Sequence, residues 1–310
     1  MSKTAAKENG ICNGGGEGAT CAKRMKLTDT HIKAISKNNG HSKVKQNSAA
    51  IVQSETVKVV ENGHQNNGSD CEKVTVKKNQ DGDISTGYVT AQDWKKKWES
   101  GKTRFHNQKV HRMLTKHIHR LVEGMNEPRM LIPLCGKTLD MVWFLDRGYS
   151  VVGCEIAELG VKQFFTENEI EYTTETLKDT DGLVYKGKDK DVTIYVTDFF
   201  TLTSALIGQF DCIWDRGSLA AINPDDRKRY RDVICDVLKP SGRYLLDIFE
   251  IPHDVFCGPP HNLDPEELKL LYGESFEIEQ LEHVDAMNPW SKSWGVAYFY
   301  ENDFLLTWKK

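Results

Sequence analysis

A doubly wound α/β sheet, mostly parallel and finished by an antiparallel hairpin at its edge, is the fold this sequence predicts. Three observations carry that expectation. From Tyr88 onward, strand-like and helix-like apolar patterns alternate, as they do where parallel strands are joined by crossover helices. Successive strand patterns end in polar residues, and open α/β sheets bind ligands at such carboxyl ends. The last two strand patterns have little helical character between them, which leaves them free to pair antiparallel.

Each element has its own reason. Asn107 to Glu123 carries Val110, Met113, Leu114, Ile118 and Leu121 on one helical stripe. Met130 to Pro133 is a short apolar run with the length of a buried strand. Leu134, Cys135 and Gly136 then make a turn in which only Gly136 lacks a side chain. Leu139, Met141, Val142, Phe144 and Leu145 recur at helical spacing up to Arg147, and Gly148 is the stop. Val151 and Val152 open a second strand that ends in Glu155. A helix from Ala157 to Asn168 offers Leu159, Val161, Phe164 and Phe165 to the core. Val192 to Val196 alternates as a third strand and runs out at Asp198. Phe210 to Trp214 is the fourth, ending at Asp215-Arg216-Gly217-Ser218. Asn223-Pro224-Asp225-Asp226 reads as a helix start, with an N-cap, a proline at the first position and acids near the positive end of the dipole. Arg243 to Phe249 is the fifth strand, and Asp264-Pro265-Glu266-Glu267 starts another helix by the same logic. Phe276 to His283 and Gly295 to Trp308 are the closing pair.

The stretch from Met130 to Glu155 has the layout of half a nucleotide site. The turn lets a ligand approach the backbone, and Glu155, 19 residues after Gly136, is placed to accept from both ribose hydroxyls. A dinucleotide is not expected, because a pyrophosphate needs several bare N–H groups and G-x-G-x-x-G, whereas one glycine stands here. Gly136-Lys137-Thr138 does not make a P-loop either, since Leu131 occupies the position of its first glycine. A ligand with a ribose and no phosphates fits, and S-adenosylmethionine (SAM) is such a ligand. The acids ending the strands, Glu155, Asp198 and Asp215, suit its cationic sulfonium and ammonium.

Composition divides the 310 residues sharply. Every Phe, Trp and Tyr lies at Tyr88 or later and every Pro at Pro128 or later. Residues 1–87 are rich in Gly, Asn, Ser, Lys and Glu, cannot bury enough apolar area to offset chain entropy, and are expected to form a disordered tail. Within it, Lys23-Arg24-Met25-Lys26 is a small basic cluster read as solvated charge, and Ile51 to Val60 is a mildly apolar patch read as a nascent strand. No run approaches the roughly 20 apolar residues of a membrane span, and no secretory core opens the chain. The eight cysteines include no C-x-x-C pair, so neither a zinc ribbon nor a disulfide framework is indicated. A formal net charge of −4 argues against nucleic acid as the main partner.

Seven short motifs then occur in one order: Trp94 to Trp98, Gly101 to His106, Pro133 to Lys137, Val151 to Glu155, Ile213 to Gly217, Gly258-Pro259-Pro260 and Lys292 to Gly295. Together they make the chain resemble the thiopurine S-methyltransferase family, close to its animal members, from about Tyr88 to the C-terminus. The resemblance implies a Rossmann-like SAM-dependent methyltransferase domain over 88–310 with SAM as co-substrate and no metal. It implies SAM contacts at Trp94, Trp98, Phe105, Leu134, Gly136, Glu155, Ile156, Asp198, Phe199 and Arg216, with the segment from Trp94 to Phe105 covering the bound SAM. Phe105, Arg216 and Trp290 fall where the acceptor lies. Two positions depart from vertebrate members. Asp198 stands where they carry a small hydroxyl residue, and Trp290 where they carry an arginine beside the substrate.

Methyl transfer from a sulfonium is an in-line displacement, so alignment and water exclusion are the expected contributions of the protein. Arg216 is expected to favour a thiolate by its charge, and Asp215 either to orient Arg216 or to accept a proton. Cys135 reads as a packing residue, since no covalent step is required. The expected activity is S-methylation of aromatic or heterocyclic thiols, thiopurines included, by a monomeric cytoplasmic enzyme of xenobiotic metabolism. It would act on small molecules, with neither nucleic acid nor membrane as partner. Two alternatives remain: a methyltransferase for thiocyanate, halide, selenium or tellurium species, and a non-catalytic SAM-binding protein.

Overall fold

A computed structural model describes residues 77–310 apart from 83, 179, 253 and 255. Its strands and helices follow the expected alternation. A two-residue hairpin, β1 (Lys77–Lys78) and β2 (Ile84–Ser85), precedes α1 (Ala91–Glu99) and α2 (Arg112–Leu121). The sheet then begins with β3 (Arg129–Ile132), α3 (Leu139–Leu145), β4 (Ser150–Glu155) and α4 (Glu158–Glu167). Next come β5 (Tyr172–Thr176), β6 (Leu183–Gly187), β7 (Val192–Val196) and the short α5 (Ser204–Ile207). β8 (Phe210–Arg216), the short α6 (Ser218–Ala221), α7 (Arg227–Val237) and β9 (Leu238–Glu250) follow. The chain closes with α8 (Pro265–Tyr272), β10 (Phe276–Asp285), the short α9 (Pro289–Lys292) and β11 (Tyr300–Trp308).

Nine strands form one sheet in the order β10-β11-β9-β8-β3-β4-β7-β6-β5. The five central strands run parallel, and the closing pair adds antiparallel with β11 inserted between β9 and β10. A second antiparallel pair, β5 with β6, extends the other edge and was not foreseen. Its outer strand Tyr-Thr-Thr-Glu-Thr is exposed throughout and shows no apolar face, so periodicity does not reveal it.

Alternation along each strand sorts side chains into two cores, one on each face. Leu131, Ile213, Tyr244 and Leu246 face α7 and α8 with Tyr230, Ile234 and Tyr272. Met130, Ile132, Trp214, Leu245 and Leu305 face α2, α3 and α4 with Met113, Phe144 and Phe164. A third cluster of Phe256, Trp294, Val296 and Phe299, beyond the carboxyl end of β9, forms an aromatic wall.

The described chain starts ahead of the tail boundary expected at residue 87. Gln80 is buried, Asp81 pairs with Lys97 of α1, and Gly87 lies against the Cys257 carbonyl. Residues 1–76, with the basic cluster and the apolar patch, lie outside the described residues. Asn223 has a different duty from the cap expected of it. Its amide accepts from Val89 N at 2.9 Å and donates to Val89 O at 3.0 Å, which ties the chain entering α1 to the end of α6.

Candidate active site

The turn after β3 is built for close approach. Leu134 and Gly136 both take positive φ (41° and 51°), and Cys135 N donates to the Cys154 carbonyl of β4 at 2.9 Å. Glu155 is buried at the end of β4. Its two oxygens accept from Gly136 N at 2.9 Å and Ala157 N at 2.8 Å, so the acid fixes the turn while keeping lone pairs for a ligand. Burial pushes its pKa up to about 6, against the pull of those N–H groups. Cys135 and Cys154 are also buried, and burial raises both thiols well above their ordinary value, so Cys135 packs rather than reacts.

Helix α1 covers this turn. Thr90 and Asp93 cap it reciprocally, and α1 packs on α4. The Trp98 ring lies over two bare glycine backbones: a Cβ on Gly136 would meet it at 3.0 Å and one on Gly160 at 2.9 Å. Phe105 meets Trp94 and Trp98 edge to face at 5.4 and 5.8 Å. Arg216 Nη1 donates to the Phe105 carbonyl at 2.7 Å, tying the end of β8 to the segment that follows the lid. A cavity of about 370 Å³ lies under this cover. Trp94, Trp98, Leu134, Glu155 and Ile156 line one side of it. Phe105, Arg216, Pro259, Pro260, Trp290 and Phe299 line the other, and Gly136 lies in a small adjoining recess with Glu155 and Arg216.

Three expected site residues fall elsewhere. Asp198 caps the turn Phe199–Thr201, accepting from Phe200 N at 3.0 Å, and borders a neighbouring cleft that meets the main cavity at Ile156. The Phe199 side chain is core, stacked on Tyr230 at 4.7 Å. Asp215 corrects the expectation of a catalytic acid. Alternation along β8 turns it to the sheet face opposite Arg216, so it neither orients that arginine nor reaches the cavity. There it accepts from Tyr230 and Tyr244 hydroxyls at 2.6 and 2.7 Å and from Ser218 N at 2.9 Å. Burial raises its pKa, opposed by the two tyrosine hydroxyls, and the residue is a fully satisfied anchor of the fold.

Several cavity residues had no sequence signal. Gln80 comes from the hairpin before α1. His111, the N-cap of α2, and Glu301 of β11 also line the cavity. Asp140 of α3 places His111 by accepting its backbone N–H at 2.8 Å, and accepts Trp214 Nε1 at 2.8 Å. His111 Nε2 lies 3.5 Å from Glu301 and 4.0 Å from Asp247 of β9. Burial, then the charges of Arg216 and Arg112, lowers the His111 pKa to about 3, so its ring is neutral.

The chain matches the thiopurine S-methyltransferase family over residues 89–309. It belongs to that family. It is 40% identical over 236 residues to a thiopurine S-methyltransferase of Rattus norvegicus, covering 76% of this chain and 98% of that one. Identity to the Bos taurus protein of the same name is 41% over 222 residues, covering 71% and 91%. The sheet is shared more widely. A SAM-dependent methyltransferase from Anabaena variabilis superposes with a TM-score of 0.50 at 12% identity, over 72% of this chain and 96% of that one. The family model begins at residue 89, after the hairpin that brings Gln80 to the cavity.

Proposed function

We propose that the protein is an S-methyltransferase that moves the methyl group of SAM to the sulfur of small aromatic or heterocyclic thiols, thiopurines included. One observation carries the reading: a single covered cavity joins the glycine turn and buried Glu155 to an aromatic-walled side through Arg216. SAM supplies an electrophilic methyl group, the departing sulfur keeping the bonding pair. The residues present suit it. Glu155 would hold the ribose hydroxyls, Leu134 and Ile156 would enclose the nucleoside, and Trp98 would seal it. Asp198 would accept from the exocyclic amine of adenine beyond Ile156, with the Phe199 backbone beside it.

Arg216 and Phe105 stand where the two halves of the cavity meet. The guanidinium favours negative charge on the acceptor sulfur, and the ring of Phe105 with Trp94 keeps water out. The wall of Trp290, Trp294 and Phe299 suits a flat, apolar ring. A cavity of this size and aromatic character disfavours the alternative of a small inorganic nucleophile such as thiocyanate. The reading includes a monomer in the cytoplasm that uses neither nucleic acid nor membrane as partner. No described helix is long and apolar enough to cross a membrane.

The experiment is SAM-dependent methylation of thiophenol, 6-mercaptopurine, thiocyanate and selenite, with the methylated products identified by mass spectrometry. Turnover of the first two well above the last two is expected. Turnover of the inorganic acceptors alone would replace this reading with its alternative, and SAM binding without any methylated product would leave a binding protein.

A further inference from the structure

Behind the acceptor side of the cavity runs a line of ionisable side chains set by strand register. Arg216 of β8 pairs with Asp247 of β9, Asp247 with Asp303 of β11, and Asp303 with Glu282 of β10. All four therefore sit on one face of the sheet, across four neighbouring strands. Glu301, two residues before Asp303, shares that face and lines the cavity. Asp247 is fully buried, and neither of its oxygens has a hydrogen-bond partner. Asp303 is fully buried and its carboxylate is likewise without a partner. Two unpaired buried carboxylates are costly unless they carry protons, so the line is a place where protons are held. At its outer end Glu282 meets His117 at 2.8 Å and also pairs with Lys116, near the surface.

We propose that Glu301 accepts the proton of a neutral acceptor thiol, with the protonated carboxyls of Asp247 and Asp303 filling the buried sheet face behind it. This rests on the S-methyltransferase reading and deepens it, because it extends the acceptors from pre-ionised thiols to weakly acidic ones. The balance is simple. The S–H bond breaks and its proton goes to the Glu301 carboxylate. The sulfur pair forms the bond to the methyl carbon, and the methyl–sulfonium bond breaks with its electrons left on the departing sulfur.

The groups facing Glu301 explain its tuning. Arg112 Nη2 lies 3.1 Å away and His111 Nε2 3.5 Å away, and Arg216, Glu282, Asp247 and Asp303 complete its surroundings. Burial raises the Glu301 pKa, against the pull of Arg112 and Arg216. Burial and then Glu301 push Asp303 up to about 8, and burial raises Asp247 well above the usual range. These carboxyls titrate as one set, so the apparent pKa belongs to the cluster. A carboxylate with raised proton affinity is a better base than an ordinary one, and general base catalysis is typically worth about 10²- to 10⁴-fold.

The test compares 4-nitrothiophenol, ionised before it binds, with benzyl thiol, which is not. In the wild type, kcat/KM for benzyl thiol should rise with pH and level off well below the pH at which the free thiol ionises. In Glu301→Gln that plateau should vanish, and the ratio of nitrothiophenol to benzyl thiol kcat/KM should grow about 100-fold. Asp303→Asn keeps the shape of the protonated carboxyl, so it should leave both the ratio and the acid limb unchanged. A purely structural role for Glu301 would lower both acceptors equally and leave the limb in place, which would overturn the proposal. Loss of turnover on chelation with EDTA would overturn it too, by giving the His111, Asp247 and Glu301 cluster to a divalent cation. If nitrothiophenol is methylated but the ratio does not move, this inference alone fails. If neither thiol is methylated, the S-methyltransferase reading fails with it.

Discussion

The two walls of the cavity are made in opposite ways. The wall proposed for SAM is compact in the chain: Leu134, Glu155 and Ile156, with Gly136 in the adjoining recess, come from one strand-turn-helix-strand unit, and Trp94 and Trp98 join them from α1. The acceptor-side wall draws on Gln80, Phe105, His111, Arg216, Trp290 and Glu301, which no local unit contains. The first wall is held by short-range hydrogen bonds such as Gly136 N to Glu155. The second depends on the register of β8, β9 and β11 and on the loops above them. A wall fixed locally suits a ligand that does not change, and a wall assembled from distant pieces can be altered piece by piece without disturbing its neighbour.

Arg216 lines both the cavity and the recess that holds Gly136, so its loss should be the most damaging change. Arg216→Ala removes the hydrogen bond to the Phe105 carbonyl and the positive charge proposed to favour the acceptor thiolate. We expect kcat/KM to fall by about 10²- to 10³-fold for every thiol tested, as when one preorganised donor is removed. Arg216→Lys should restore little, because a point charge does not reproduce a planar fork. A loss below tenfold would show that the walls work independently of this residue.

Glu155 tests the SAM wall alone. Glu155→Ala removes a hydrogen bond to a charged group, worth roughly 1.5–3 kcal/mol net, so SAM affinity should drop about 10- to 100-fold by calorimetry. It also leaves Gly136 N and Ala157 N without their partner, and Glu155→Gln keeps an acceptor oxygen for one of them. Wild-type SAM affinity should decline as pH falls through about 6, because the carboxylate is then protonated and loses acceptor capacity. Unchanged affinity in a folded Glu155→Ala protein would sink the ribose assignment.

Legibility in the sequence follows the same division. The apolar periods of β3, α3, β4 and β7 gave the fold, and the spacing of Gly136 and Glu155 gave the glycine turn that the buried acid fixes, because each signal lies within a few dozen residues. Asp215 misled for a physical reason: a strand end offers two adjacent polar residues, and only alternation against the rest of the sheet decides which one faces the ligand. Glu301 and Asp247 were invisible because their meaning comes from pairing strands far apart in sequence. The β5–β6 edge was missed because its outer strand has no buried face to leave a pattern. Trp290 and Phe105 were located only through a resemblance to relatives, as nothing in their own neighbourhood separates a cavity wall from a core.

Trp290 tests the acceptor wall alone. It packs edge to face on Trp294 at 4.9 Å and lines the cavity. Trp290→Arg should favour 2-mercaptobenzoate over thiophenol by about fivefold in kcat/KM, the size of one partly exposed charge pair of about 1 kcal/mol. SAM affinity should not move. A constant ratio between the two acceptors would remove Trp290 from the acceptor wall.

The smallest effect should come from the N-terminal region, and it divides at Lys77. Deleting residues 1–76 removes no Phe, Trp or Tyr, so activity and melting temperature should stay within experimental error. Deleting residues 1–87 also removes the hairpin, and with it buried Gln80 and the Asp81 partner of Lys97 on the lid helix. That ion pair is largely shielded, with 13% of each side chain exposed, so it sits at the upper end of the 0.2–1 kcal/mol span of surface pairs. About 1 kcal/mol of lost lid closure corresponds to roughly a fivefold rise in KM for the acceptor. Because α1 is still tied down by the two hydrogen bonds between Val89 and Asn223, the lid should loosen without coming away, and kcat should change less than KM. Steady-state kinetics of the two truncations decide the point. Equal kinetics would mean that the hairpin only rests on the lid, and a collapse of the shorter truncation would place essential structure before Lys77.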